Sequence, residues 1–111
     1  MGARGIRGFG WRRMTQPADE LPVRARLVVY GRVQGVGFRA FAERMALDLR
    51  LVGGVRNLTD GRVELDVEGE RSVIEALERQ LRIGPPAARV TKIEVEWGAA
   101  TGRYSEFEIW Y

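Results

Sequence analysis

The stretch Arg24-Ala-Arg-Leu-Val-Val-Tyr-Gly-Arg-Val-Gln-Gly-Val-Gly-Phe-Arg-Ala-Phe-Ala-Glu-Arg-Met-Ala-Leu-Asp-Leu49 decides the fold. It opens on a β-rich run from Arg24 to Tyr30, with Leu27, Val28, Val29 and Tyr30 in succession. A glycine segment follows, Gly31 to Gly37. Helical periodicity then takes over. Phe38, Phe41, Ala42, Met45, Ala46 and Leu49 recur at the spacing of one apolar helix face, and Glu43, Arg44 and Asp48 occupy the other. The chain is therefore expected to run from a strand through a glycine loop directly into a helix.

Downstream, the pattern changes to a hairpin. Val52 to Leu58 forms one arm and Arg62 to Glu68 the other, joined by Thr59-Asp60-Gly61, where Gly61 tolerates positive φ. In the second arm Val63, Leu65 and Val67 alternate with Glu64, Asp66 and Glu68, which predicts a sheet with one solvated face. A second helix is expected over Arg71–Arg82, with Val73, Ile74, Leu77 and Leu81 as its buried stripe. Ser72 and Glu75 fit a capping box, and Gly84-Pro85-Pro86 ends the helix. Val90 to Trp97 reads as a further strand. Ser105 to Tyr111 reads as a short last one, with Phe107, Ile109 and Tyr111 on one face. The order β-α-β-β-α-β plus a C-terminal strand predicts an α+β, ferredoxin-like sandwich. Its sheet is mostly antiparallel, with both helices on one face.

At 111 residues the chain is long enough for one domain. Its composition, 45% hydrophobic and 30% charged, suits a globular protein, and no apolar run approaches a membrane span. Cysteine and histidine are both absent, which excludes disulfides, thiolate chemistry, His–Cys metal sites, the Ser–His–Asp triad and a histidine general base. Net charge is +3, of which +2 falls in residues 1–22. The nearly neutral remainder calls for no nucleic-acid partner. Residues 1–22 mix Gly, Arg, Trp11 and Pro17 without period, so a disordered N-terminal extension is expected there, with the domain at 23–111. Met14 is an alternative start. No secretory signal is visible, and a cytoplasmic monomer is expected.

The glycine segment carries the chemistry. A strand-to-helix loop presents successive backbone N–H groups as an anion nest, and the helix dipole adds partial positive charge. Arg39, at the start of the helix, offers a planar fork matched to two phosphate oxygens. Gly35 to Ala40 also fits the dinucleotide fingerprint. That fingerprint requires a parallel strand after the helix, whereas an antiparallel hairpin follows here. On spacing alone, an anion site and a tight connection with an exposed arginine both stay open. Asn57 is equally open, because the start of a hairpin turn suits Asn for structural reasons. Asp60, Glu64, Asp66 and Glu68 match no Ca²⁺ loop and are expected on an exposed strand face.

Gly31-Arg-Val-Gln-Gly-Val-Gly-Phe-Arg39 resembles the signature loop of the acylphosphatase family. Gly53-Gly-Val-Arg-Asn57 with Asp60-Gly-Arg-Val-Glu64 resembles its second signature, and Gly84-Pro-Pro-Ala-Ala-Arg-Val90 and Phe107-Glu-Ile-Trp-Tyr111 are similar to further family segments. The resemblance spans about residues 24–111. It implies a hydrolase for the carboxyl–phosphate bond of acyl phosphates, with no metal or cofactor, no nucleic-acid partner and no membrane association. It implies that Arg39 and the backbone N–H groups of Gln34, Gly35, Val36, Gly37 and Phe38 bind the phosphate. Asn57 would orient the attacking water. Three positions depart from the family pattern. Arg50 stands where Gly is usual after the first helix and loses an easy left-handed stop. Gly54 stands in place of Trp and is expected to loosen packing beside Asn57, and Trp110 stands in place of Arg. The alternative is a phosphate-binding or regulatory module of the same family without significant turnover. An RNA recognition motif shares the element order, but Glu64, Asp66 and Glu68 stand where its stacking aromatics belong.

Overall fold

The structure is a computed structural model that describes residues 21–111. Residues 1–20, which hold most of the expected N-terminal extension and Met14, lie outside the described residues. Five strands and two helices follow in the order β1 (Pro22–Arg32), α1 (Phe38–Asp48), β2 (Val52–Asn57), β3 (Val63–Glu70), α2 (Arg71–Ile83), β4 (Arg89–Ala99) and β5 (Phe107–Ile109). They make one sheet in the order β4-β1-β3-β2-β5. Every pairing is antiparallel except β2 with β5, which is parallel. This is the ferredoxin-like α+β sandwich with an added C-terminal edge strand.

Strand alternation sorts the residues into two faces. Ala25, Leu27 and Val29 of β1, Val55 of β2, and Val63, Leu65 and Val67 of β3 point toward the helices and are fully buried. Against them α1 sets Phe38, Ala42 and Ala46, and α2 sets Ile74, Leu77 and Leu81. Alanine at two of the α1 positions lets that helix approach the sheet closely. The expected apolar stripes of both helices thus form the core, with Phe41, Met45, Leu49 and Val73 partly buried at its rim.

Two local expectations give way. The capping box at Ser72 and Glu75 does not form. Strand β3 runs without a break into α2, so Glu70 takes the N-cap position and no side chain caps the helix. Glu75 instead lies 3.5 Å from Arg71, one turn back. At the end of α1, Arg50 adopts φ 59°, the left-handed conformation that glycine takes without strain. Leu51 N–H donates to Ala46 O and Arg50 N–H to Leu47 O, so the helix is closed as glycine would close it, with a Cβ present.

The outer face of the sheet is not simply solvated. Glu64 and Glu68 are 7% and 4% exposed, which corrects the expectation of an exposed acidic face. Arginines on the neighbouring strands neutralise it. Arg24 grips Asp66 through Nε and Nη2 at 2.7 and 2.8 Å, while Arg26 and Arg56 share Glu64. The chain after β4 then folds over this face. The Thr101 and Gly102 N–H groups and the Thr101 hydroxyl all donate to the Glu68 carboxylate, at 2.6–3.0 Å. Burial works to raise the pKa of Glu64, Asp66 and Glu68. In each, the hydrogen bonds from these partners outweigh it and hold the carboxyl below its ordinary value.

Gly54 does not leave a gap. A Cβ there would lie 2.2 Å from the indole of Trp110, so the ring already fills that space. Trp110 N–H donates to Val55 O at 2.7 Å, which holds the ring over β2. Two departures that are remote in sequence are neighbours in space. The indole absent from position 54 is supplied from position 110. Among the described residues, no helix is long and apolar enough to cross a membrane.

Candidate active site

Strand β1 ends at Arg32, and the loop Val33–Gly37 carries the chain to the first turn of α1. Two backbone conformations shape this loop. Gly35 and Gly37 have φ 74° and 79°, and Gly37 in the left-handed region is the helix N-cap. A side chain at either position would strain the turn. Gly37 has no side chain to cap the helix, and no acidic residue sits in the first turn. The first intrahelical bond runs from Phe41 N–H to Gly37 O at 3.0 Å. The N–H groups that precede it, those of Phe38, Arg39 and Ala40, are the ones an α-helix leaves without an internal acceptor. The helix therefore begins as an uncapped anion-receptive end.

Asn57 is brought to this loop by the hairpin. It is the last residue of β2, and its Cα partner is Val63 on β3. The loop and hairpin are tied together by Gln34, whose Nε2 donates to Leu58 O at 2.7 Å and to Arg62 O at 2.9 Å. These two carbonyls flank the turn that follows Asn57. The turn itself is closed by Asp60, whose Oδ1 accepts from the Arg62 N–H.

A cavity of about 250 Å³ lies between loop and hairpin, lined by Gly35, Gly37, Phe38, Arg39 and Asn57. Val33, Ala40, Ile109 and Tyr111 complete its walls. A volume of that size has room for a phosphoryl group, a small acyl group and a water. Arg39 is the charged residue among the described ones that line it, and makes no ion pair among the described residues. Its guanidinium lies 5.1 Å from the centre of the Tyr111 ring. Asn57 contributes the other functional group. Its Oδ1 is buried and has no hydrogen-bond partner among the described residues.

Of the residues expected at the site, Gly35, Gly37, Phe38, Arg39 and Asn57 meet at one cavity. Gln34 and Val36 do not line it. The Gln34 side chain braces the hairpin, and Val36 packs against the core. Arg56 projects to the opposite face and pairs with Glu64. Ile109 and Tyr111 were not expected. Alternation places both on the helix-side face, and that signal was in the sequence. The parallel pairing of β5 with β2, which carries them to the cavity, has no local signature. Among the described residues no group of three or more Asp or Glu side chains is placed to hold a metal ion.

Fold and cavity together define a class, an α+β ferredoxin-like domain with a cavity where a glycine loop enters an uncapped helix. The acylphosphatase family model matches residues 25–109. A curated acylphosphatase from Anaeromyxobacter dehalogenans is 56% identical over 87 residues, covering 78% of this chain and 94% of that protein. The chain belongs to the acylphosphatase family, and its activity is that of an acylphosphatase. Among solved structures, acylphosphatase from Bacillus subtilis superposes with a TM-score of 0.78 at 37% identity, over 80% of this chain and 99% of the other. HypF from T. kodakarensis shares the fold with a TM-score of 0.70 at 38% identity. There the match covers 78% of this chain and only 12% of the longer protein.

Proposed function

We propose that this acylphosphatase hydrolyses its acyl phosphate substrate by holding the phosphoryl group on Arg39 and the loop N–H groups while Asn57 orients the attacking water. The observation that carries the reading is the unpartnered Asn57 Oδ1 beside the cavity that Arg39 also lines. A buried acceptor without a donor costs about 1–3 kcal/mol, so its persistence calls for a role. A half-turn of the carboxamide exchanges Oδ1 and Nδ2, so either can meet a water in the cavity.

The chemistry asks little acid–base work of the protein. The water oxygen bonds to phosphorus as the bond from phosphorus to the acyl oxygen breaks, and a carboxylate leaves with that electron pair. A carboxylate needs no protonation to depart, so the absence of histidine is no obstacle. The water's proton goes to a phosphoryl oxygen, because Asn57 is too weak a base to keep it. Arg39 and the N–H groups at the start of α1 stabilise the charge spread over the equatorial oxygens. The neutral walls formed by Val33, Ile109 and Tyr111 receive the acyl portion. The same proposal includes a cytoplasmic monomer. The monomer is supported by the exposed large apolar side chains, of which Leu47 lies on α1, Ile83 on α2, Leu21 before β1 and Tyr111 after β5.

The test is hydrolysis of benzoyl phosphate by the full chain in excess EDTA. Turnover that survives EDTA is expected. Arg39→Ala should raise KM, lower kcat and weaken inhibition by inorganic phosphate, whereas Asn57→Ala should lower kcat alone. Equal loss of phosphate affinity in both variants would refute this division of roles.

A further inference from the structure

The outer face of the sheet holds a second cavity, of about 390 Å³, on the side away from Arg39 and Asn57. Its floor is four arginines over two carboxylates. Arg26 and Arg56 both pair with Glu64. Arg24 pairs with Asp66 at 2.7 Å, and Arg103 approaches the same carboxylate at 3.6 Å. Two negative charges divided among four guanidinium groups leave the side chains that line the cleft with an excess of two positive charges. Two further carboxylates, Glu68 opposite Arg24 on β3 and Glu96 opposite Arg26 on β4, reduce this excess from outside the cavity lining. Each arginine also keeps N–H donors that these pairs do not use. Among the described residues, only Nε of Arg26 and only Nη2 of Arg103 are engaged. A guanidinium carries five such donors, so the cleft has unspent capacity for an anion.

One wall is aromatic. The rings of Tyr104 and Trp110 lie 5.8 Å apart, tilted by 40°, and both border the cavity. Tyr104 is fixed by its hydroxyl, which donates to Asp66 at 2.7 Å and accepts from Arg103. Trp110 is fixed over Gly54. Rigid aromatic faces beside a cluster of guanidinium groups match a ligand with a planar ring at one end and a phosphate at the other.

We propose that this cleft is a second binding site, for a phosphorylated planar aromatic small molecule of the nucleoside monophosphate class, separate from the catalytic cavity. Such a ligand is a phosphate monoester. Its leaving group would be an alkoxide and not a carboxylate, so it is not a substrate for the chemistry above. The two sites stand back to back. Arg56 lines the cleft and its neighbour Asn57 lines the catalytic cavity, while Trp110 and Tyr111 divide in the same way. Occupancy of the cleft therefore bears on the segments that carry Asn57 and Tyr111.

The probe is AMP, titrated calorimetrically into the full chain carrying Arg39→Ala, so that the catalytic anion site is disabled. One AMP per chain is expected. Adding Arg103→Gln, an exposed loop substitution that leaves the core untouched, should weaken AMP by about tenfold or more, as loss of a charged hydrogen-bond donor does. Arg26→Gln should do the same, with Glu64 still held by Arg56. Adenosine and inorganic phosphate should each bind about tenfold more weakly than AMP. In the chain with Arg39 intact, saturating AMP should change KM or kcat for benzoyl phosphate, and Arg103→Gln should abolish the change while leaving basal turnover as it was. Absence of AMP binding, or binding indifferent to both cleft substitutions, would overturn the proposal. Phosphate binding as tightly as AMP would overturn the aromatic part of the ligand class, and bound AMP without a kinetic change would overturn the coupling. Failure of any of these leaves the hydrolase reading intact, since that reading stands or falls on Arg39 and Asn57.

Discussion

Asn57→Ala should lose activity without losing stability, and the two effects have a common origin. The side-chain Oδ1 is buried and receives no donor among the described residues. An acceptor in that condition costs about 1–3 kcal/mol in the folded state. Alanine removes the acceptor and that cost. It also removes the contacts of a small, half-buried carboxamide, which offsets part of the gain. The net expectation runs from about zero to +1 kcal/mol of added stability, or a rise in Tm of up to about 4–8 °C for a domain of this size. Turnover should fall by about 10²-fold, the scale on which a misplaced reactant slows a positioned reaction. KM and inhibition by inorganic phosphate should stay within about twofold of wild type, because phosphate binding is assigned elsewhere. Urea unfolding followed by circular dichroism, alongside benzoyl phosphate kinetics, measures both quantities on the same preparation. A destabilisation of more than about 2 kcal/mol would show that the carboxamide is a structural anchor. A folded variant with kcat within about threefold of wild type would remove Asn57 from the mechanism.

Other substitutions test the scaffold. Arg50→Gly should raise stability by about 1 kcal/mol in urea titration, because Arg50 closes α1 at φ 59° with a Cβ in place. Gly54→Ala should be destabilising by about 1–3 kcal/mol, since its Cβ would meet the Trp110 indole at 2.2 Å. Trp110→Ala alone should cost about 2–4 kcal/mol, and the double variant should cost less than the sum by about 1 kcal/mol or more; additivity would deny the contact. The carboxyls of Glu64, Asp66 and Glu68 sit below their ordinary values when folded, so the stability they confer is present above an unfolded value of about 4. It is lost as pH falls through the folded values. Thermal unfolding should therefore be level from pH 7 to about pH 5 and fall steeply below about pH 4, with a shallower fall in Glu64→Gln.

The strand–loop–helix unit was legible because its signals are local. Periodicity from Phe38 to Leu49 and the glycines before it depend on nothing far away in the chain. The hairpin from Val52 to Glu68 was legible for the same reason. Local motifs also misled where a neighbouring element overrode them. Ser72 and Glu75 have capping-box spacing, but β3 reaches Glu70 and leaves no room for a cap before Arg71. The acidic face was misread because alternation cannot tell a solvated carboxylate from a paired one. The partners that decide it, Arg24 and Arg26, lie 42 and 38 residues from Asp66 and Glu64. Ile109 and Tyr111 escaped the site because a parallel edge pairing leaves no mark in the sequence.

The same distance effect changes what the family departures mean. Read along the chain, Gly54 and Trp110 are two independent losses, a missing indole on β2 and a missing arginine near the C-terminus. In the fold they are one exchange. The Trp110 ring occupies the volume above Gly54, and its backbone bond to Val55 keeps it there. Packing on the outer face of β2 is thus supplied by a residue that follows β5. Glycine at position 54 is then a requirement, because any side chain would collide with the ring. The exchange also carries the indole toward Tyr104 and the arginine pairs, where an aromatic surface now borders charge. The ring that fills the space over Gly54 is therefore also the one that builds the aromatic wall of the second cleft. Gly54, Trp110 and Tyr104 should behave as one energetic unit, in binding as well as in folding.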